Sequence, residues 1–445
     1  MRARTRLRSV SFAAIASFAA IASRAAVVAA FLLVSVAACP TARAEEAAPI
    51  AIAHALVYGP GTRLPLVDAT VVLAAGKIVS VGSSASMPPG AIVVDAHGKS
   101  ITAGFIDADT DVGAVEVAME SGSNDTDARG LLLPALRMVD GYNPRSALIP
   151  IARSGGVTSV VVAPRAGALA GQSAFVDLAG DTQAEAVVRA SLAQYARADE
   201  AEAQEVGTRG VLWMTLRQAL DDARFYSTHK AQYDANATRT LGLRRMNLEA
   251  LLPVLRGEQP LVVTVHRASD IETALRFGAE YKLKLVLRGA SEAWLMADEI
   301  ARAHVPVIID PLEDLPEAFD RLRSRSDNAA LLSAAGVSVV LSTFSSHEAR
   351  LLWQRAGNAV RLGMDHDAAI RAVTEAPADA FGLKGYGRLE AGAVGNVVVW
   401  SGDPLQIGTR VEHVFVRGRE QPLETRQTLL LNRYRTLPFG HDGTR

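Results

Sequence analysis

The chain has 445 residues, with 46 Lys and Arg against 47 Asp and Glu, 49% hydrophobic residues and 5% aromatic ones. That is apolar material for one large core or two ordinary ones, and a charge balance that excludes a nucleic-acid surface built on bulk basicity. The single cysteine, Cys39, excludes a disulfide within the chain.

Residues 1–44 read as an export signal. "MRARTRLR" is a basic stretch, "AAVVAAFLLVSVAA" an apolar one, and "ARA" ending at Ala44 a small-x-small cleavage site. Two alternatives stay open. "VAAC" ending at Cys39 has the form of a lipoprotein cleavage box, and the apolar run from Val10 to Ala38, interrupted by Arg24, could remain as an anchor. Cleavage after Ala44 takes the net charge from -1 to -7 and removes the cysteine, so the expected product is a periplasmic or secreted protein without thiol chemistry.

From Pro49 to Asp107 the pattern is one of short strands. "APIAIAHALVYGPG", "ATVVLAAGKIVSVG" and "AIVVDAHGKSITAGFID" carry β-branched runs broken by Gly and Pro turns. His97 to Lys99 is such a turn and carries no chemistry. The last run continues as "SITAGFIDADTDVG", a strand end with carboxylates at Asp107, Asp109 and Asp111. Alternate residues share a strand face. Asp109 and Asp111 can therefore bind a cation together, or one can be a base of raised pKa, because two close carboxylates resist joint ionisation. The structural alternative is a solvated or salt-bridged pair.

The middle of the chain alternates. "GGVTSVVVAP", "QPLVVTVHRAS", "KLKLVLRGAS", "HVPVIIDPL" and "GVSVVLSTFSS" are runs suited to strands buried on both faces. Helical patterns lie between them: "ASDIETALRFGAEY", "SEAWLMADEIARAH", "DNAALLSAAG" and "HEARLLWQRAGNAVRLG". Strand and helix in alternation mean parallel βα units, and a spacing of about 25 residues between Leu261 and Phe344 suits a (β/α)8 barrel. The stretch from Thr182 to Leu251, with "AEAVVRASLAQYARADEAEAQE", reads as surface helices, and its strands cannot be placed. Strands return in "GRLEAGAVGNVVVWSGDP" and "VEHVFVRGRE". The expected fold is α/β: a TIM-like (β/α)8 barrel over residues 105–385, and a small composite β-sandwich from residues 45–104 and 386–425, with a tail at 426–445.

Several single residues stand out. His266 and Asp310 should lie at strand ends on the rim where such barrels carry their chemistry, and with Asp109 and Asp111 they would form a polar ring. Arg267 follows His266 and Arg288 precedes Gly289; either can supply a guanidinium as counter-charge to the aspartates. "RAGALAGQ", Arg165 to Gln172, is a glycine-containing loop and a candidate backbone anion site without a phosphate fingerprint's spacing. Ser345, Ser346 and His347 lack a nucleophile elbow and read as the cap of the following helix. His366 reads as a helix-start residue beside a capping Asp365.

Several of these motifs, in order, carry a resemblance. "AAGKIVSVG", "VVDAHGKSITAGFID", "TEAPADAFGL", "GRLEAGAVGNVVVWSGDP" and "VEHVFVRGR" are similar to stretches of the metal-dependent amidohydrolase superfamily, especially its imidazolonepropionase-like branch, from about Ala51 to Arg419. The resemblance implies metal-assisted hydrolysis of a carbon-nitrogen bond in a cyclic amide or peptide-like substrate, with zinc or a similar ion generating hydroxide. It also implies where the ligands should stand. The strand 1 histidine pair falls on Asp109 and Asp111, the strand 5 ligand on Thr264 with His266 two residues on, the strand 6 ligand on Gly289 and the strand 8 acid on Phe344. The family's ligands are missing together, so no metal or other cofactor is expected, and zinc only if these residues make a competent site after all.

Three readings follow. The first is a degenerate, non-catalytic or weakly active relative acting as partner subunit of an active homologous amidohydrolase, in a homo- or hetero-oligomer. The second is a hydrolase using an unconventional site. The third is a periplasmic module that binds a small molecule in the barrel mouth.

Overall fold

A computed structural model describes residues 48–59, 65–83 and 85–435. The expected export signal, with Cys39 and Ala44, and the last ten residues of the expected tail lie outside them. Among the described residues no helix is long and apolar enough to cross a membrane.

The first strands come where the β-branched runs put them: β1 (Ile50–Val57), β2 (Leu66–Ala74), β3 (Lys77–Gly82), β4 (Ile92–Asp95) and β5 (Ser100–Ala103). The chain then passes through Gly104 into β6 (Phe105–Thr110) and β7 (Val157–Val162). Next come β8 (Leu169–Gln172), β9 (Ala174–Asp177), β10 (Val187–Arg189) and β11 (Gln194–Arg197). Parallel strands β12 (Leu261–Val265), β13 (Leu285–Gly289), β14 (Val307–Ile309) and β15 (Val339–Leu341) follow. The end of the chain supplies β16 (Val397–Trp400), β17 (Val411–Val416) and β18 (Arg419–Gln421).

Strands from both ends of the chain share one eight-stranded sheet, ordered β18-β17-β16-β5-β1-β2-β3, with β4 also on β1. The join is antiparallel, with Ile101 opposite Val399 and Ala103 opposite Val397. Ile52, Val71, Ile78, Ile101, Val399 and Phe415, from six of these strands, pack in one apolar cluster. The strands expected to build a sandwich are thus hydrogen-bonded into a single sheet that encloses its own core.

The α/β part departs from an all-parallel ring. Its ladders form two sheets, β10-β9-β7-β6 and β15-β14-β13-β12-β11-β8. β8 runs antiparallel to β11, and β9 antiparallel to β7 and β10. The sheets meet at two places. At Ser173 the chain steps directly from β8 into β9. At the other, β6 and β15 are joined through side chains, with Ser342 Oγ accepting from Asp109 N at 3.1 Å and lying 2.8 Å from the Asp109 carbonyl. Ile106, Val161, Ala170, Phe175, Tyr195, Val262, Val286, Ile308 and Val340, drawn from nine strands of the two sheets, form one apolar cluster. The strands' other apolar side chains, such as Val263, Leu287, Ile309 and Leu341, pack with residues of the helices Ala268–Tyr281, Asn328–Ala334 and Leu352–Arg361.

Two sequence readings need correction here. The stretch expected to be surface helices contains β10 and β11, and β11 is buried along Gln194–Tyr195–Ala196. Alanine, glutamine and arginine dominate it, so the alternation that marks a strand is not visible. Likewise "RAGALAGQ" is loop only in its first half, because Leu169–Gln172 is β8.

Buried polar and aromatic contacts fasten the terminal sheet to the α/β part. Asp177 is fully buried and accepts from Ser159 Oγ at 2.7 Å, Tyr386 Oη at 3.0 Å, Asn396 Nδ2 at 3.1 Å and Arg417 Nε at 2.5 Å. Trp400, 2% exposed, lies 5.1 Å from the ring of Phe105 and donates its indole N–H to Thr102 Oγ1 at 2.9 Å. Removing a buried tryptophan costs its transfer free energy plus the cavity left behind, so Trp400→Ala is expected to lower unfolding free energy by about 3–5 kcal/mol. Urea titration checks this, and a loss below about 1 kcal/mol would mean that the site collapses without cost.

Candidate functional site

The site begins with the three aspartates of β6. Strand alternation puts Asp107, Asp109 and Asp111 in line, and the end of the strand separates their fates. Asp107 and Asp109 are both fully buried, whereas Asp111, just beyond Thr110, is half-buried.

Asp107 meets hydroxyls. Its oxygens lie 2.5 Å from Ser342 Oγ and 2.5 Å from Thr343 Oγ1, and it accepts from Thr343 N at 3.3 Å. Burial pushes its carboxyl up to about 6, against the lowering effect of these hydrogen bonds. Each hydroxyl has one proton and a second acceptor within reach, Asp109 O at 2.8 Å from Ser342 and Ser345 O at 3.0 Å from Thr343. A proton on Asp107 therefore lets the cluster satisfy more of its acceptors.

Asp109 meets two guanidiniums. Arg288, from β13, donates Nε to Oδ2 at 2.8 Å and Nη2 to Oδ1 at 3.2 Å. Arg165, from the loop after β7, donates Nη1 to Oδ1 and Nη2 to the carbonyl of Phe344 at 3.1 Å. Burial alone would raise the Asp109 carboxyl, but the charges of Arg165 and Arg288 overcome it and hold the group below the usual range. The Arg288 guanidinium also lies over the ring of Phe344, 4.1 Å from its centroid. Tyr195, from β11, has a buried hydroxyl without a hydrogen bond of ordinary geometry. Burial first, and then the charge of Asp109, holds that phenol well above its usual value.

A second group forms around His266. Its ring is 1% exposed, with Nδ1 2.8 Å from Ser291 Oγ and Nε2 3.0 Å from Arg321 Nη2. An arginine can only donate, so Nε2 accepts, and the imidazole is neutral with its proton on Nδ1 toward the serine. Burial, with the Arg321 charge second, lowers its pKa to about 3. Gly289 makes this possible: it sits at φ 79°, and a Cβ there would fall 2.4 Å from His266 Cε1. Arg197 ion-pairs with Asp199 at 2.7 Å and donates to the carbonyl of Arg165 at 2.8 Å, joining the two groups.

The other residues singled out in the sequence stand apart or differ. Arg267 pairs with Asp270 at 3.2 Å on its own helix and does not reach the aspartates. Asp310 lies on the rim but is held by Arg355 at 3.0 Å, and burial raises its carboxyl to about 6. Thr264 is 3% exposed, and its carbonyl accepts from Ala198 N at 2.8 Å. Asp111 accepts the backbone N–H of Ser346, whereas Asp109 is held by the two guanidiniums. Ser345 and Ser346 cap no helix, because a 3-10 turn at Ala349–Leu351 precedes the helix Leu352–Arg361. Asp365 does cap the helix His366–Val373, whose first residue pairs with Asp403 at 3.0 Å. Among the described residues, no group of three or more His, Cys, Asp or Glu stands where it could hold a metal ion.

The chain has counterparts in sequence and in fold. The amidohydrolase family model matches residues 215–421. The amidohydrolase tasK of Hapsidospora irregularis is 24% identical over 374 residues, which cover 76% of this chain and 38% of the relative, so the chain spans well under half of that protein's length. A crystal structure of an amidohydrolase from Thermotoga maritima MSB8 superposes with a TM-score of 0.76 at 26% identity, covering 83% of this chain and 99% of the other. In sequence and in fold the chain is thus similar to the amidohydrolases. A more distant likeness in fold, at 16% identity and a TM-score of 0.50, is to a mutant of atrazine chlorohydrolase TrzN from Arthrobacter aurescens TC1 complexed with zinc and atraton, covering 86% of this chain and 98% of that one.

Asp107 gives this amidohydrolase relative a pH dependence with a defined sign. A carboxyl raised in the folded state contributes stability that is full below the unfolded value of 3.8 and lost as pH rises through about 6. Across that window wild type is expected to lose up to about 3 kcal/mol relative to Asp107→Asn, which stays neutral. Paired denaturation curves at pH 4 and pH 7 check it; a constant difference between the two proteins would show that Asp107 is not held protonated.

Proposed function

We propose that this chain is an exported amidohydrolase relative whose closed (β/α)8 barrel carries ion pairs where the superfamily holds its catalytic metal. It acts as a non-catalytic or weakly catalytic member, by binding a small molecule at the mouth or as companion of an active homologue. In this reading residues 1–44 are the export signal, and residues 45–104 and 386–425 form the composite domain around the barrel.

The observation that carries the reading is the use of Asp109. Both its oxygens accept from guanidiniums, and Arg165 and Arg288 occupy the space beside it. The other implied positions offer little in exchange. Gly289 has no side chain, Phe344 has no donor atom, and both ring nitrogens of His266 are already in use. Zinc needs several lone pairs aimed at one point, usually four nitrogen, sulfur or oxygen ligands with supported orientations. An ion here would also have to displace two cations from a carboxylate. The residues present do not fit a divalent metal, even though a fold relative is described as complexed with zinc.

The experiment is metal analysis joined to turnover. Protein loaded with zinc and then dialysed is expected to retain far less than one equivalent, and to hydrolyse N-acyl amides and cyclic imides no faster after loading than after chelation. Tightly held stoichiometric zinc, with turnover that vanishes on chelation, would establish a metal hydrolase with an unconventional ligand set and sink this reading.

The ion pairs make a second demand. A buried carboxylate that loses one partner keeps its desolvation penalty, so Arg288→Ala is expected to destabilise by about 3–5 kcal/mol, and Asp109→Asn with Arg288→Met together by less than the sum. A double-mutant cycle measured by urea unfolding decides between this and strict additivity, which would mean that the pair contributes no coupling.

A further inference from the structure

We propose that the barrel mouth is a binding site for a ligand bearing a single carboxylate, gripped by Arg321 together with the exposed edges of Arg288 and Arg165. The proposal rests on the preceding reading in one respect, that guanidiniums and not a metal ion line the mouth.

Four arginines converge at the strand ends. Arg165 follows β7, Arg197 ends β11, Arg288 lies in β13 and Arg321 lies in the loop after β14. They are linked side by side: Arg165 and Arg288 share Asp109, Arg197 donates to the Arg165 carbonyl, and the charges of Arg321, Arg288 and Arg197 all bear on His266. None is sealed off, their side chains being 18%, 27%, 17% and 25% exposed in that chain order.

Their partners do not match them in strength. Arg197 has Asp199 to itself at 2.7 Å. Arg165 and Arg288 divide one carboxylate between them, leaving one positive charge over. Arg321 has no carboxylate in hydrogen-bonding range; Asp320 and Glu313 come no nearer than 3.8 Å and 3.9 Å. Burial draws Asp320 toward its neutral form, and the Arg321 Nε is without a partner. The one close contact of Arg321 is the neutral imidazole of His266. The residue after Arg288, Gly289, packs against the ring of His266, whose Nε2 meets Arg321 Nη2, so the two arginines flank the same imidazole.

A guanidinium presents paired N–H donors that match a carboxylate, and a partly buried cation whose carboxylate neighbours stay beyond hydrogen-bonding range favours an anionic ligand. The surplus is one charge beside Asp109, and Asp109 itself displays how a carboxylate seats between two of these guanidiniums. The backbone of Phe344 fixes Arg165 and its ring backs Arg288, so part of the cost of ordering them is already met before binding.

The test is calorimetric titration of the full-length protein with N-acetylglycine, its neutral amide N-acetylglycinamide and inorganic phosphate, each before and after treatment with a chelator. Saturable binding of N-acetylglycine is expected, at least tenfold tighter than the amide and tighter than phosphate. Arg321→Gln should weaken it tenfold or more, Arg321→Lys should retain part of the affinity, and Arg276→Gln, on an exposed helix face, should change nothing. Thermal melts confirm that each variant is folded. Equal binding of acid and amide, tighter binding of phosphate, or full affinity in folded Arg321→Gln would overturn the proposal. So would the absence of N-acetylglycine binding both before and after chelation. Binding that disappears only on chelation would instead point to a metal as the anion's partner, which would sink the metal-free reading of the mouth as well.

Discussion

The structure of the barrel mouth depends on one buried carboxylate. Asp109 has no exposed surface, and an ionised carboxylate removed from water carries a penalty of several kcal/mol unless charge and hydrogen bonds replace its hydration. Arg165 and Arg288 provide both, and in doing so they tie the loop after β7 and the strand β13 to β6. The consequences spread outward. Arg165 holds the carbonyl of Phe344, Arg288 lies against its ring, and Phe344 itself sits at φ 54°, a conformation a bulky residue adopts only when its surroundings impose it. The mouth is thus a charge network with its own internal logic, and no single member can be exchanged without leaving another unpaired.

The same strand accounts for how the two α/β sheets meet. A backbone ladder between β6 and β15 would satisfy the amides at little cost in side-chain chemistry. Here the junction instead runs through Ser342, whose hydroxyl touches the Asp107 carboxyl and both the amide and the carbonyl of Asp109. Such a junction is directional, because it requires a hydroxyl at 342 and acids at 107 and 109 in register. It also places Asp107, whose carboxyl burial pushes up to about 6, inside the seam between the two sheets.

How much of this was legible in the sequence follows from the range of the interactions. The strands β1 to β5, β7 and β12 to β17 announce themselves through Val, Ile and Leu, and the helices between them through their period, whereas β18, Arg-Glu-Gln, carries no such signal. β10 and β11 do not announce themselves either: "VVR" is only three residues long inside an Ala- and Glu-rich stretch, and "QYAR" has no β-branched residue and is buried through tertiary contact. The antiparallel turn from β8 into β9 hides behind glycines that read as loop. At the site, the sequence offers Arg267 or Arg288 as counter-charge to Asp109 and Asp111; Arg288 pairs with Asp109, while Arg267 pairs with Asp270. Arg165 was noticed only for the glycines that follow it. Tyr195 and Arg321 gave no local signal, because what makes them part of the mouth is a fold contact with residues far along the chain, Asp109 for one and His266 for the other.

Gly289 shows how tightly the second group is packed. Its backbone lies at φ 79°, which an L side chain rarely adopts, and the place a Cβ would take is filled by the ring of His266. A histidine introduced there would meet both obstacles at once. His266 cannot simply move aside, because Ser291 and Arg321 hold its two nitrogens, and Arg321 would then lose its one close partner. An imidazole introduced at 109 would likewise strip two guanidiniums of their shared carboxylate. Each such substitution, taken alone, is opposed by the residues packed around it, because the partners it displaces are already hydrogen-bonded to one another.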